Sequence, residues 1–125
     1  MNIKFICVVL LFISINCYTQ TKEEVYKYIT KSEIKHPEIV YKQVLYETGH
    51  LKCYPCSLQH NNLLGFRLNH KHMDFDSWQE SIDYYIGWQK RREYSEDENY
   101  YAFLKRVWGA PNMTQYVSIL KDIKI

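Results

Sequence analysis

The chain has 125 residues, which is room for one domain. Sixteen Lys and Arg stand against fourteen Asp and Glu, a formal charge of +2, so no strong field selects nucleic acid or an anionic membrane surface. Twelve Tyr, three Trp and five Phe make 16% of the chain aromatic, enough for one compact core without a metal or a dense disulfide framework.

The N-terminus opens with Lys4, continues through an apolar run from Phe5 to Ile15, and leaves through the small polar stretch Asn16 to Gln20. This order predicts a secretory signal over residues 1–20, and its apolar run is too short for a transmembrane helix. Cys7 and Cys17 fall inside it. Cys17 has a second reading, as the lipid-carrying first residue of a lipoprotein, since Ser14-Ile15-Asn16-Cys17 loosely resembles a lipobox. Residues 21–125 then form one exported domain, with Cys53 and Cys56 its only cysteines.

That remainder has no repeat, low-complexity tract or linker, and it reads as mostly α (α+β) with one short β hairpin. Thr21 and Glu24 form a capping box that opens a helix through Lys31. Pro37 suits the first turn of a second helix, with Ile39, Val40 and Val44 as its apolar stripe and Gly49 placed to end it. Cys53-Tyr54-Pro55-Cys56 reads as a turn. Phe66-Arg67-Leu68 and Met73-Asp74-Phe75 flank Asn69 to His72 as a short hairpin. Ser77 with Glu80 caps a helix to about Arg92 carrying Trp78, Ile82, Tyr85, Ile86 and Gln89. Ser95 with Glu98 repeats the device for a helix through Val107, and Pro111 restarts one with Tyr116, Val117 and Leu120.

Glu47 is the most informative position. An acid in the last turn of an apolar helix meets the partial negative charge of the helix end, which favours its protonated form. A protonated carboxyl near neutral pH is what glycoside cleavage needs, because the leaving oxygen must receive a proton. An exported, aromatic-rich domain fits the same chemistry, since aromatic faces stack on the apolar faces of sugar rings.

Three motifs follow in order: Gln43-Val44-Leu45-Tyr46-Glu47-Thr48-Gly49, Asn61-Asn62-Leu63-Leu64-Gly65-Phe66-Arg67, and Phe75-Asp76-Ser77-Trp78-Gln79-Glu80-Ser81-Ile82-Asp83-Tyr84. Together they resemble the bacterial glucosaminidase domain, the family of peptidoglycan hydrolases found in autolysins and the flagellar rod-cap muramidase, over about Pro37 to Leu120. The resemblance implies a lysozyme-like helical fold with its cleft beside a small β lobe. It implies cleavage of the β-1,4 bond after N-acetylglucosamine, with Glu47 as general acid. It also places Asn62, Tyr84, Trp108 and Tyr116 as candidate glycan-binding residues, with Leu64 where the family has Phe.

Two departures stand out. The hairpin, where many members carry a second acid, is cut to Asn69-His70-Lys71-His72, leaving Asp74 as the nearest second carboxylate. The family's Tyr-Ala-x-Asp-Pro-x-Tyr stretch is replaced by Val107-Trp108-Gly109-Ala110-Pro111-Asn112-Met113. Three courses stay open: Asp74 as base, the substrate's acetamido group as nucleophile, or Glu47 alone as acid and base. Open classes beside the hydrolase are a lytic transglycosylase-like enzyme with a single Glu and a catalytically silent glycan-binding accessory protein.

Cys53 and Cys56 predict a local disulfide in an exported chain, with free thiols and a thioredoxin-like redox pair as the other readings. His50, His60, His70 and His72 show no standard ligand spacing, so neither metal nor cofactor is expected. The Lys90-Arg91-Arg92 run complements a helix C-terminus or meets wall carboxylates. The expected location is the periplasm or cell surface, with an outer-membrane lipoprotein as the alternative, and the expected partner is peptidoglycan glycan.

Overall fold

A computed structural model describes residues 20–125. The expected signal segment, apart from Gln20, lies outside the described residues, and so do Cys7 and Cys17. Five helices, one 3-10 turn and one hairpin follow in order: α1 (Lys22–Lys31), α2 (Pro37–Glu47), the turn Leu58–His60, β1 (Arg67–Leu68), β2 (Lys71–His72), α3 (Trp78–Arg91), α4 (Tyr100–Val107) and α5 (Met113–Asp122). The architecture is therefore mostly α with one small β element, as the sequence pattern implies. No helix among the described residues is long and apolar enough to cross a membrane.

Local chemistry sets the helix starts. Thr21 Oγ1 accepts from the Glu24 amide at 3.1 Å and Ser77 Oγ from the Glu80 amide at 3.3 Å, each satisfying an orphan donor of a first turn. Asn112 Oδ1 does the same for Gln115. The expected start at Ser95 is displaced. Its hydroxyl accepts from Asp97 rather than Glu98, residues 95–98 form a turn, and the Glu98 carboxylate is taken by Arg106. Asn99 caps α4 instead, its Oδ1 accepting from the Ala102 amide at 3.2 Å.

α1 packs on α2, α2 on α5, and α4 on α5. Val25 and Ile29 of α1, Val40 and Val44 of α2, Ile82 and Tyr85 of α3, and Phe103 and Leu104 of α4 are all fully buried. The i, i+4 spacing of Val25/Ile29 and Val40/Val44 and the i, i+3 spacing of Ile82/Tyr85 place those stripes on the shared core. Leu63 and Leu64 are also fully buried, so the segment before the hairpin runs under the helices rather than around them.

The hairpin is tighter than the sequence suggests. Arg67 pairs with His72 and Leu68 with Lys71, so Lys71 and His72 belong to a strand. The connection is Asn69-His70, both at positive φ (52° and 65°), the backbone of a type I′ turn that matches strand twist. Its base is clamped by Asn62, whose Nδ2 donates to the carbonyls of Phe66 (2.8 Å) and Met73 (3.0 Å) while Oδ1 accepts from the Phe66 amide (3.0 Å).

Asn62 is fully buried, and those three bonds satisfy its amide. It is therefore not a glycan contact; it ties the hairpin to the body. Asn62→Ala removes three hydrogen bonds and deprives the part-buried Phe66 amide and Met73 carbonyl of theirs, a loss of about 3 kcal/mol. Urea unfolding should show a lowered midpoint at unchanged slope, whereas a loss under about 1 kcal/mol would contradict the clamp.

Candidate active site

α2 ends in a Schellman motif. The His50 amide donates to the Leu45 carbonyl (2.8 Å) and the Gly49 amide to the Tyr46 carbonyl (3.5 Å), with Gly49 at φ +56°. Buried Thr48 seals the turn, its hydroxyl donating to the Val44 carbonyl (2.7 Å) and accepting from the Leu51 amide (2.9 Å). These bonds fix Glu47, the last helical residue, at the floor of a cleft of about 550 Å³. The cleft walls are Tyr46, Phe66, Tyr84, Trp88, Trp108 and Tyr116, with Arg67 and Arg92 among the lining residues.

Gly65 sits directly against the carboxyl. A Cβ there would lie 2.8 Å from Glu47 Oε2, and its φ of +69° belongs to the left-handed region. Both facts favour glycine. The Asn-Leu-Leu-Gly stretch thus delivers a bare backbone to the acid, a role that its sequence alone leaves open.

The Glu47 carboxyl is pushed up from the usual carboxylate range to about 7. Burial is the largest cause, and it outweighs hydrogen bonds from Tyr116 and Trp108 and the charge of Arg67, all of which favour the ionised form. Desolvation, rather than the helix end, is thus what raises it. Tyr116 Oη donates toward Glu47 Oε1 at 3.5 Å.

The other expected residues divide. Trp108 and Tyr84 line the cleft; Tyr84 is held edge-on by Phe66 (4.7 Å between centroids) with the Arg91 guanidinium 4.9 Å over its ring. Tyr116 lines it too, but at 3% exposure it is no sugar platform. Its ring is buried and its hydroxyl addresses the acid. Tyr46 and Arg67 also line the cleft, as does Arg92, the one residue of the Lys90-Arg91-Arg92 run to do so. Tyr46 is the neighbour of Glu47 and 42% exposed, a signal the last helical turn does carry.

Asp74 does not join the site. Its side chain is 79% exposed and its carboxylate meets His60 Nδ1 at 2.5 Å. Adjacent residues of an extended segment point to opposite sides, and it is Met73 that faces the cleft. Glu47 is consequently the single carboxylate among the described residues lining the cleft.

Cys53 and Cys56 form a disulfide with Cα atoms 5.4 Å apart. The Cys53 amide donates to the Thr48 carbonyl at 3.0 Å, so the bridge braces the loop that leaves the Glu47 turn. Among the described residues no three His, Cys, Asp or Glu side chains converge as a metal site. A larger groove of about 750 Å³ lies between α1 and α3 around Tyr28 and Trp78. Three acids line it, Glu24, Glu33 and Asp83; all three are exposed and Asp83 accepts from the Tyr28 hydroxyl at 2.8 Å, so the enclosed polar chemistry is at Glu47. Comparison with protein-family models, with curated proteins and with solved structures finds no match to this chain.

A carboxyl whose folded-state value is raised binds its proton more tightly in the fold than in the unfolded chain. Its stabilising effect is complete below about 4.5 and is lost as pH rises to about 7. Over that window the loss amounts to about 3 kcal/mol. Denaturation at a series of pH values should show this fall in wild type and lose it in Glu47→Gln; identical profiles for the two proteins would contradict the burial assignment.

Proposed function

We propose that the chain is a glycoside-cleaving enzyme of the cell wall, acting on the β-1,4 bond after N-acetylglucosamine in peptidoglycan with Glu47 as general acid. The observation that carries this reading is the single carboxyl among the described residues lining the cleft, set between aromatic walls and pushed up by burial to about 7. A general acid works best when its own proton affinity lies near the operating pH. Arg67 and Arg92 suit a glycan bearing carboxylates, since the cleft offers them no acid other than Glu47. The disulfide fits an oxidising, exported location, in keeping with the periplasm or cell surface.

The lone carboxylate favours a course without a second protein acid. As the bond between the anomeric carbon and the leaving oxygen breaks, that oxygen takes the Glu47 proton. The acetamido oxygen of the same sugar bonds to the anomeric carbon in its place, a recognised alternative to two carboxylates. Glu47, now ionised, then accepts a proton from the incoming water, which opens the intermediate. Attack by a hydroxyl of the glycan itself, the transglycosylase-like variant, uses the same single acid and ends in an anhydro sugar.

Digestion of purified peptidoglycan followed by mass spectrometry of the fragment ends tests this. Reducing N-acetylglucosamine ends are expected, with cleavage reduced about a hundredfold or more in Glu47→Gln and falling as pH rises past about 7. Anhydro-muramic ends would replace hydrolysis by the transglycosylase course and would also overturn the bond assignment, since they arise only by cleavage after N-acetylmuramic acid. Intact glycan that co-sediments with the protein would overturn the enzyme reading in favour of an accessory binder.

A further inference from the structure

A single file of hydrogen bonds crosses the core behind Glu47, and its direction is determined. At the far end Gln89 Oε1 accepts from the Lys35 amide (2.9 Å) and Gln89 Nε2 donates to the Lys35 carbonyl (2.8 Å). A backbone amide can only donate and a carbonyl only accept, so the Gln89 side chain has one permitted orientation. Gln89 Nε2 therefore also donates to Tyr100 Oη (2.8 Å).

The remaining links inherit that polarity. Tyr100 hands its proton to Tyr85 Oη, and Tyr85 donates to Gln43 Oε1 at 2.6 Å. Gln43 is fully buried. With its carbonyl occupied, its Nε2 must face Tyr116 Oη, to which it donates at 3.1 Å. Tyr116 then has its own proton left for Glu47 Oε1. No buried polar side-chain atom among the described residues lacks a partner, so reversing any one link would orphan a donor or an acceptor.

We propose that Gln43 is a positioning residue for Glu47: its amide orientation, imposed from Gln89 through Tyr100 and Tyr85, obliges the Tyr116 hydroxyl to act as a donor toward the acid. Without Gln43 the Tyr116 oxygen is free to accept instead from a protonated Glu47, so the acid holds its proton longer. Other groups face Glu47 across the cleft, namely Arg67 beside the hairpin, Arg92 at the end of α3, Tyr84 on α3, Trp108 after α4, and Tyr46 on its own helix. None of them hydrogen-bonds to the Gln43 side chain, whose partners are Tyr116 and Tyr85. The inference concerns the state of the acid and holds whatever the cleft binds.

The test is a titration of the Glu47 side-chain carboxyl by carbon NMR in the whole protein, comparing wild type, Gln43→Met, Tyr116→Phe and the double variant. Gln43→Met should raise the midpoint by about half a unit or more, the scale of one lost hydrogen bond to the charged form. In the Tyr116→Phe background the same substitution should add nothing, because Gln43 acts through Tyr116. An unchanged midpoint in folded Gln43→Met, or equal shifts with and without Tyr116, would overturn the proposal. Should Gln43→Met fail to fold, Tyr85→Phe, which keeps the ring and removes the proton held by the Gln43 carbonyl, is to be read in its place. It should move the midpoint in the same direction, and no movement would count against the proposal.

Discussion

Everything at the site depends on one close approach, the carboxyl of Glu47 against the bare backbone of Gly65. The helix end supplies the acid and fixes it through a Schellman turn. The chain that returns under the helices supplies a residue without a side chain at the one place where a Cβ would meet an oxygen at 2.8 Å. The desolvation that follows raises the proton affinity of the acid into the neutral range. A looser approach would let water in and return Glu47 to ordinary carboxylate behaviour. The buried Leu63-Leu64 pair and the Asn62 clamp are what hold that returning chain in place.

The aromatic content serves two tasks at different depths. Tyr85, Tyr100 and Phe103 fill the interior, where the two hydroxyls are satisfied only because Gln43 and Gln89 are buried with them. Trp108 and Tyr84 reach from this interior to the cleft, Trp108 against Trp88 at 5.2 Å and Tyr84 against Phe66 at 4.7 Å. Contacts of this kind restrain the cleft walls through the core. Binding surface and packing are thus one continuous aromatic body, and the polar network threads through it to the acid.

Much of this is legible in the sequence, for local reasons. Thr21, Ser77, Pro37 and Gly49 mark helix ends by capping chemistry that depends on neighbours in the chain, and the structure follows them. Ser95 misleads because the same residue types that cap helices also form turns, and the choice fell to Asn99. Glu47 can be found from its place at a helix end, but the dominant cause of its raised proton affinity is burial, which comes from residues distant in the chain such as Gly65 and Tyr116. Asp74 fails as a partner because which side of an extended segment a residue faces is set by pairing that chain order does not reveal. Asn62, within a motif, and Tyr116, on the last helix, are polar groups that the resemblance offers as glycan contacts. Each proves to spend its hydrogen bonds inside the protein. Arg67 gains interest only when folding sets it, with Arg92 of the basic run, around the same hollow.

The central claim is that a single, largely desolvated carboxyl in an open cleft holds its proton up to the neutral range, with a midpoint of about 7. Difference infrared spectroscopy of wild type against Glu47→Gln isolates the carboxylic-acid carbonyl band of that one group across a pH series. The account predicts a band that persists through pH 6 and disappears with a midpoint of about 7. A band already lost by the ordinary carboxylate value of 4.5 would contradict it.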